Sequence, residues 1–245
     1  MSKTFEKEEV SFSGRLLARG VYNMRGVYQM NKKKITLISM LSVIFILLAT
    51  VSTAGTIGNP LPGVPEGRWR VTAELDNWDK DMDEGTDLES TRLLAKFTYG
   101  ISGKVNIFGR IGFAEFEVGS ADSDYEPAWG AGAKIKVYEK DNIDAGIVAQ
   151  IFHFSGDFSG ADFDVTEIDI ACGANHQFTD VFLGYFGFSI SMVEIDFDNG
   201  GDHDEDDPFF FFGGIEFKVN NATDIGLEIR TFGESSITLL ANFDF

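Results

Sequence analysis

The densest run of chemistry-bearing side chains is residues 196–207, DFDNGGDHDEDD, with seven carboxylates in twelve positions and His203 among them. Oxygen donors at that density attract divalent cations. Asp196 and Asp198, followed by Asn199-Gly200, match the opening of a calcium loop, but the bidentate Glu that closes such a loop is not at its expected distance. Asp196, Asp198, Asp202 and Asp204 are therefore candidates for loose, charge-driven cation binding. The plainer expectation is a solvated acidic loop, able to bridge through divalent cations to lipopolysaccharide. No GxSxG, HExxH, CxxC or phosphate-loop pattern occurs. Neither an enzyme activity nor a cofactor is expected. The single cysteine, Cys172, rules out an internal disulfide and reads as a small apolar strand residue.

Charge narrows the partners. The chain of 245 residues carries a formal net charge of −19. Residues 1–54 hold eight basic and three acidic side chains, so the remainder has twelve basic and 36 acidic ones, a net −24. A surface that acidic repels phosphate backbones, which argues against nucleic-acid binding.

The elements that present these loops are strands. From residue 68 the sequence alternates apolar and polar positions with period two in ten segments: 68–78, 90–99, 104–117, 128–138, 143–154, 164–176, 181–195, 209–219, 224–232 and 236–245. The last reads SITLLANFDF, with Ile237, Leu239, Ala241, Phe243 and Phe245 on one face and polar residues on the other except at Leu240. Longer connections (79–89, 118–126, 155–163, 196–207) alternate with short turns at 100–103, 139–142, 177–180 and 220–223. Segment 181–195 changes phase near its end, and a β-bulge that resets its register would reconcile the two halves. No proline falls inside a segment. The fold class is all-β, one antiparallel up-and-down barrel of about ten strands, with eight or twelve open as alternatives.

A strand that ends on an aromatic at the chain terminus, after repeated alternation over 68–245, resembles the bacterial outer-membrane β-barrels as a class. The resemblance implies an outer-membrane location in a Gram-negative-type bacterium and lipid around the wall. It also implies that Phe243 and Phe245 form the signal read by the barrel-assembly machinery. In that setting the apolar rows face lipid, and Trp69, Tyr99, Trp129 and Phe245 lie near strand ends, where interfacial aromatics belong. Arg70, Arg92, Lys96, Arg110, Lys134 and Lys136 then turn into the lumen beside Glu74, Asp144, Glu167, Asp169, Glu216 and Glu228. Buried charges must pair, so an ion-pair network and a side-chain-filled lumen are expected. The alternative architecture is a periplasmic barrel with its apolar rows inward. Ten strands with acidic loops also resemble the omptin proteases, which set an Asp pair against an Asp–His pair. Asp122, Asp124 and Asp202-His203 would supply these groups, although the spacing around His203 departs from that pattern. Two functional classes follow: a structural, adhesive or envelope-interaction barrel, or a narrow channel or carrier for ions or small apolar molecules.

Residues 31–54 combine Lys32-Lys33-Lys34, an apolar core over 35–48 and the small-x-small triplet Ser52-Thr53-Ala54, the pattern of a signal peptide cleaved before Gly55. An uncleaved anchor helix over 35–54 is the alternative. Residues 1–30 precede this leader, and Met30 is the expected true start. Residues 55–67 hold Pro60, Pro62 and Pro65 and read as an extended linker outside any ladder.

Overall fold

The computed structural model describes residues 56–82, 86–118, 121–140, 142–158, 161–197, 201–204 and 207–245. The leader, its cleavage position and the N-terminal extension lie outside the described residues. From Trp69 the chain forms ten long strands: β1 (Trp69–Met82), β2 (Thr86–Ser102), β3 (Val105–Val118), β4 (Glu126–Lys140), β5 (Ile143–Phe158), β6 (Ala161–Thr179), β7 (Phe182–Phe197), β8 (Phe209–Asn220), β9 (Thr223–Thr231) and β10 (Glu234–Asp244). Each pairs antiparallel with the next, and β1 closes on β10 in a register running from Arg70 opposite Asp244 to Lys80 opposite Glu234. At this seam the Phe245 amide donates to the Trp69 carbonyl at 2.9 Å. Closure leaves the barrel no edge, so every wall strand has a partner on both sides and its backbone can sit in an apolar medium.

The two ends of the barrel differ. One, the turn end, carries the four short turns and the C-terminus. At the other, the ribbon end, the strands run further than their alternation suggested. Residues 79–89 are not a loop, because Asp79 pairs Glu89 and Lys80 pairs Leu88 in the β1–β2 ladder. Likewise β5 and β6 pair out to Phe158 opposite Ala161. Glu117 pairs Asp122, and Asp196 pairs Asp202. The long connections are thus mostly paired ribbon. At 19 residues, β6 exceeds the roughly 9–11 that a tilted strand needs to cross a bilayer.

The bulge expected within 181–195 is absent. Register shifts occur instead at Gly100/Ser102, Lys136/Tyr138, Gln177/Thr179 and Lys218/Asn220, each beside a short turn. β7 alternates without a break: Phe186, Phe188, Ile190 and Met192 point outward, then Glu194 and Asp196 do, while Val193 and Ile195 are buried inside. The phase change in the sequence marks a change of surroundings rather than of register. Along the middle of the wall the apolar side chains face out. Toward the ribbon end they face in and polar ones face out.

Every strand contributes large exposed apolar residues to the middle of the wall, among them Leu75, Phe97, Ile111, Ile135, Ile147, Ile170, Phe188, Phe211, Ile229 and Phe243. A belt of this kind all round the circumference exceeds what a water-soluble surface carries. The alternative with inward apolar rows is therefore excluded for this part of the wall. Trp69 lies 4.8 Å from Tyr99 near the turn end, and Trp129 lies 5.5 Å from His153 nearer the ribbon end. Cys172 sits in an outward row of β6 and is partly exposed.

Candidate functional site in the barrel lumen

Residues 56–67, read from sequence as a linker, lie inside the barrel. Thr56, Ile57, Pro60, Leu61 and Val64 are buried. Three prolines and three glycines keep the segment out of the ladder, so its peptide groups need partners from the wall. Inward side chains supply them. Asn106 clamps Val64 from both sides, accepting from its amide at 3.0 Å and donating to its carbonyl at 2.9 Å. Lys134 Nζ donates to the carbonyls of Ile57 at 3.2 Å and Asn59 at 2.6 Å. Arg110 Nη2 and Gln150 Nε2 donate to the Thr56 carbonyl at 3.2 and 3.3 Å, and Glu228 accepts from the Ile57 amide at 2.9 Å. We call this segment the plug.

The wall is cut to fit it. A Cβ on Gly100 would collide with the Pro65 carbonyl, and one on Gly146 would come within 2.5 Å of the Pro60 oxygen. The plug enters over the turn end, where the Gly67 amide donates to the Gly100 carbonyl at 2.9 Å and Gly67 takes φ +75°, a conformation suited to glycine.

Around and beyond the plug the lumen is layered. At the turn end Arg70 grips Asp244 at 2.6 Å and reaches Asp224 at 3.3 Å, and Lys136 meets Asp144 at 3.3 Å and Glu139 at 3.5 Å. A cavity of about 540 Å³ opens here between the plug and the wall, lined in part by Asn59, Asn175 and Glu216. Level with the inner plug, Glu74 is paired with Lys96 and lies 3.7 Å from Arg110. Glu228 accepts from the Tyr185 hydroxyl at 3.0 Å, and Gln150 donates to Asp169 at 2.6 Å. Next come Arg92 with Glu167 at 2.8 Å, and Arg230 with Glu234 at 2.5 Å and Glu228 at 3.5 Å. The Arg92 guanidinium also lies 4.8 Å from the Trp78 ring centre and 4.5 Å from that of Phe152. Last, at the ribbon end, Trp78, Phe116, Phe154, Phe163, Val165, Val193 and Ile195 pack into an apolar core. The plug occupies the turn-end half of the lumen and this core the ribbon-end half.

The twelve charged residues singled out in the sequence all face inward, but they do not form one network. Arg70, Lys136 and Asp144 belong to the turn-end rim. Lys96, Glu74, Arg110, Lys134, Glu228 and Glu216 surround the plug. Arg92, Glu167 and Asp169 lie deeper. Sequence reasoning missed Lys80, placed in a supposed loop, and Glu234, left between the last two segments. Lys80 lies 3.8 Å from Glu234, and both side chains are fully buried. It also missed the neutral clamps Asn106 and Gln150, because an inward Asn or Gln looks the same in sequence whether it faces water or a backbone.

The acidic ribbon gives less. Asp196 is exposed; Asp198 and the side chains of Asp202, His203 and Asp204 lie outside the described residues. The side chain of Asp122 lies outside them too, and Asp124 is exposed. Among the described residues no group of three or more His, Cys, Asp or Glu side chains is placed to hold a metal ion. Outside the strands, a hydrogen bond with Glu115 raises the Tyr125 phenol above the ordinary tyrosine range.

A closed ten-stranded antiparallel barrel, apolar outside at mid-height and charged within, is a β-barrel of the outer-membrane type. Neither the models of known protein families nor the curated proteins match the sequence. Among solved structures it is similar to OmpT, an outer membrane protein of Vibrio cholerae, at 11% identity and a TM-score of 0.33. That match covers 72% of this chain and 64% of the other, so the chain spans less than two thirds of that protein's length. It is similar to the translocator domain of the autotransporter NalP from Neisseria meningitidis at 9% identity and a TM-score of 0.44, covering 73% and 88% of the two chains. It is similar also to the outer membrane protease OmpT from Escherichia coli at 8% identity and a TM-score of 0.40, covering 75% and 99%.

Proposed function

We propose that this protein is a non-enzymatic outer-membrane barrel of structural or envelope-interaction type, closed to conduction. It is exported by the leader 31–54, which is cleaved before Gly55, and Phe243 and Phe245 are its contacts with the barrel-assembly machinery. The observation that carries the reading is the seated plug: its carbonyls are held by Lys134, Arg110 and Gln150, and the aromatic core fills the lumen beyond it. A transport pore needs a continuous wet path, and the plug and the aromatic core both stand across the lumen where such a path would run. The test is reconstitution in planar bilayers, together with membrane fractionation and gel mobility before and after heating. The expected result is a heat-modifiable outer-membrane protein without stable conductance steps. Large, persistent steps would favour the channel reading instead.

The envelope contacts proposed are with lipid and with surface phosphates. On the outer face of the ribbon end, like charges stand directly opposite one another: Asp79–Glu89–Glu117, Asp157–Asp162 and Asp164–Asp196. Such pairs repel in the bare protein. Divalent cations shared with lipopolysaccharide phosphates would relieve that repulsion just above the apolar belt. Calorimetric titration with calcium, before and after replacing Asp164 and Asp196 by Asn, tests this contact; equal heats from both proteins would count against it.

A further inference from the structure

The turn-end cavity between the plug and the wall holds about 540 Å³, the size of a small-molecule site. Its charges do not balance. Five carboxylates line it, Asp144, Asp180, Glu216, Asp224 and Asp244, against the two cations Arg70 and Lys218. Arg70 is already divided between two of them: its Nε and Nη2 donate to Asp244 at 2.6 and 2.9 Å, and Nη2 also reaches Asp224 at 3.3 Å. Asp144 has Lys136 at 3.3 Å. Glu216 is half-buried beside Asn59 of the plug, and Arg70 and Lys134 attract its charge without an ion-pair contact.

The acids are also dispersed. They stand on β5, β8, β9 and β10 and in the turn between β6 and β7, so they spread round the space instead of meeting at a point. Among the described residues no three such side chains converge to hold a metal ion. Leu61, Pro62 and Pro65 on the plug and Val181 and Leu183 on the wall add an apolar lining. Separated anionic groups around a partly apolar space complement a cation whose charges are themselves separated by methylene stems. We propose that the cavity binds a linear aliphatic polyamine. One ammonium sits at Glu216, where its N–H donors make charge-assisted bonds to a carboxylate that lacks a close cation. The stem runs along Leu61 and Leu183, and the remaining ammonium groups reach Asp224 and the exposed Asp180. Short turns mark the periplasmic end of such barrels, so the ligand arrives from the periplasm.

The test is equilibrium dialysis of radiolabelled spermidine against the full-length protein purified from membranes. It is run at pH 7, where the amines are charged, and at physiological ionic strength, which screens loose attraction to the acidic ribbon. The expected result is one saturable site per barrel. Glu216→Gln should weaken it at least roughly tenfold, because a hydrogen bond to a charged group contributes on that scale. Asp180→Lys, a charge reversal in an exposed turn, should weaken it several-fold, and it decides the matter should Glu216→Gln fail to fold. Asp164→Asn with Asp196→Asn, on the outer face of the ribbon end, should leave the site unchanged. No saturable site, or one lost with the ribbon acids and kept in Glu216→Gln, would overturn the assignment. So would displacement of spermidine by equimolar magnesium, the mark of a metal site, or by equimolar 1,8-octanediol, the mark of an apolar one.

Discussion

The Arg92–Glu167 pair shows what a buried charge costs and returns. Its guanidinium lies against aromatic rings and meets a single carboxylate at 2.8 Å, out of contact with solvent. Removing one partner strands the other, so Arg92→Met alone should destabilise the barrel by about 3–5 kcal/mol. The double change Arg92→Met with Glu167→Met should restore most of that loss, since an apolar pair of similar size fits this layer. Urea midpoints of the four proteins of this cycle measure it, and equal losses in the single and double variants would contradict the pairing. The glycines make a second test at the scale of one atom. Gly146→Ala places a methyl 2.5 Å from the Pro60 oxygen, a carbonyl that a seated plug cannot yield without moving. The expected outcome is a plug newly sensitive to protease in a barrel that remains heat-modifiable.

The plug and the apolar core occupy the lumen in series, and removing one or both should have separable effects on conduction. Deleting residues 56–66 strips Lys134, Arg110 and Glu228 of their backbone partners, so the unfolding midpoint should fall. Conductance should nevertheless stay low, because Phe116, Phe154 and Phe163 still fill the ribbon end. Replacing those three by Ser in the deletion background should open a path. Planar-bilayer recordings separate the cases, and stable current from the deletion alone would show that the core does not seal. These two elements also mark what the sequence could not disclose. The ten strands were legible because each must keep an unbroken apolar row toward lipid, as Trp69, Val71, Ala73 and Leu75 do. Above that row the same ladder continues with Asp79, Glu89 and Glu117 outward, and polar alternation without an apolar row reads as loop. The plug has no periodicity, and its fit is encoded far away, in Gly100, Gly146 and Asn106. The charged lumen could be read residue by residue from the inward rows, but its division into layers depends on strand stagger, which no single segment carries.

The described strands form a barrel with two exteriors: an apolar one for hydrocarbon at mid-height and an acidic one for water above it. The chain has three tryptophans, and each stands in a different place relative to that boundary. Trp69 is 52% exposed near the turn end, Trp129 is 50% exposed nearer the ribbon end, and Trp78 is 0% exposed in the lumenal core. Amphipathic rings on the wall should sit at the headgroup level on both sides of a hydrocarbon band about 25 Å tall. In proteoliposomes, variants retaining one tryptophan at a time should therefore divide cleanly. Lipids brominated high on the acyl chain should quench Trp69 and Trp129 more than lipids brominated near the chain end. Trp78 should be quenched by neither, although it is as large and as apolar as the others. A water-soluble barrel would leave all three unquenched. A barrel with its inward and outward rows exchanged would quench Trp78 and spare the other two. The three side chains thus report separately whether the wall faces lipid, how deep the belt reaches, and whether the lumen is dry.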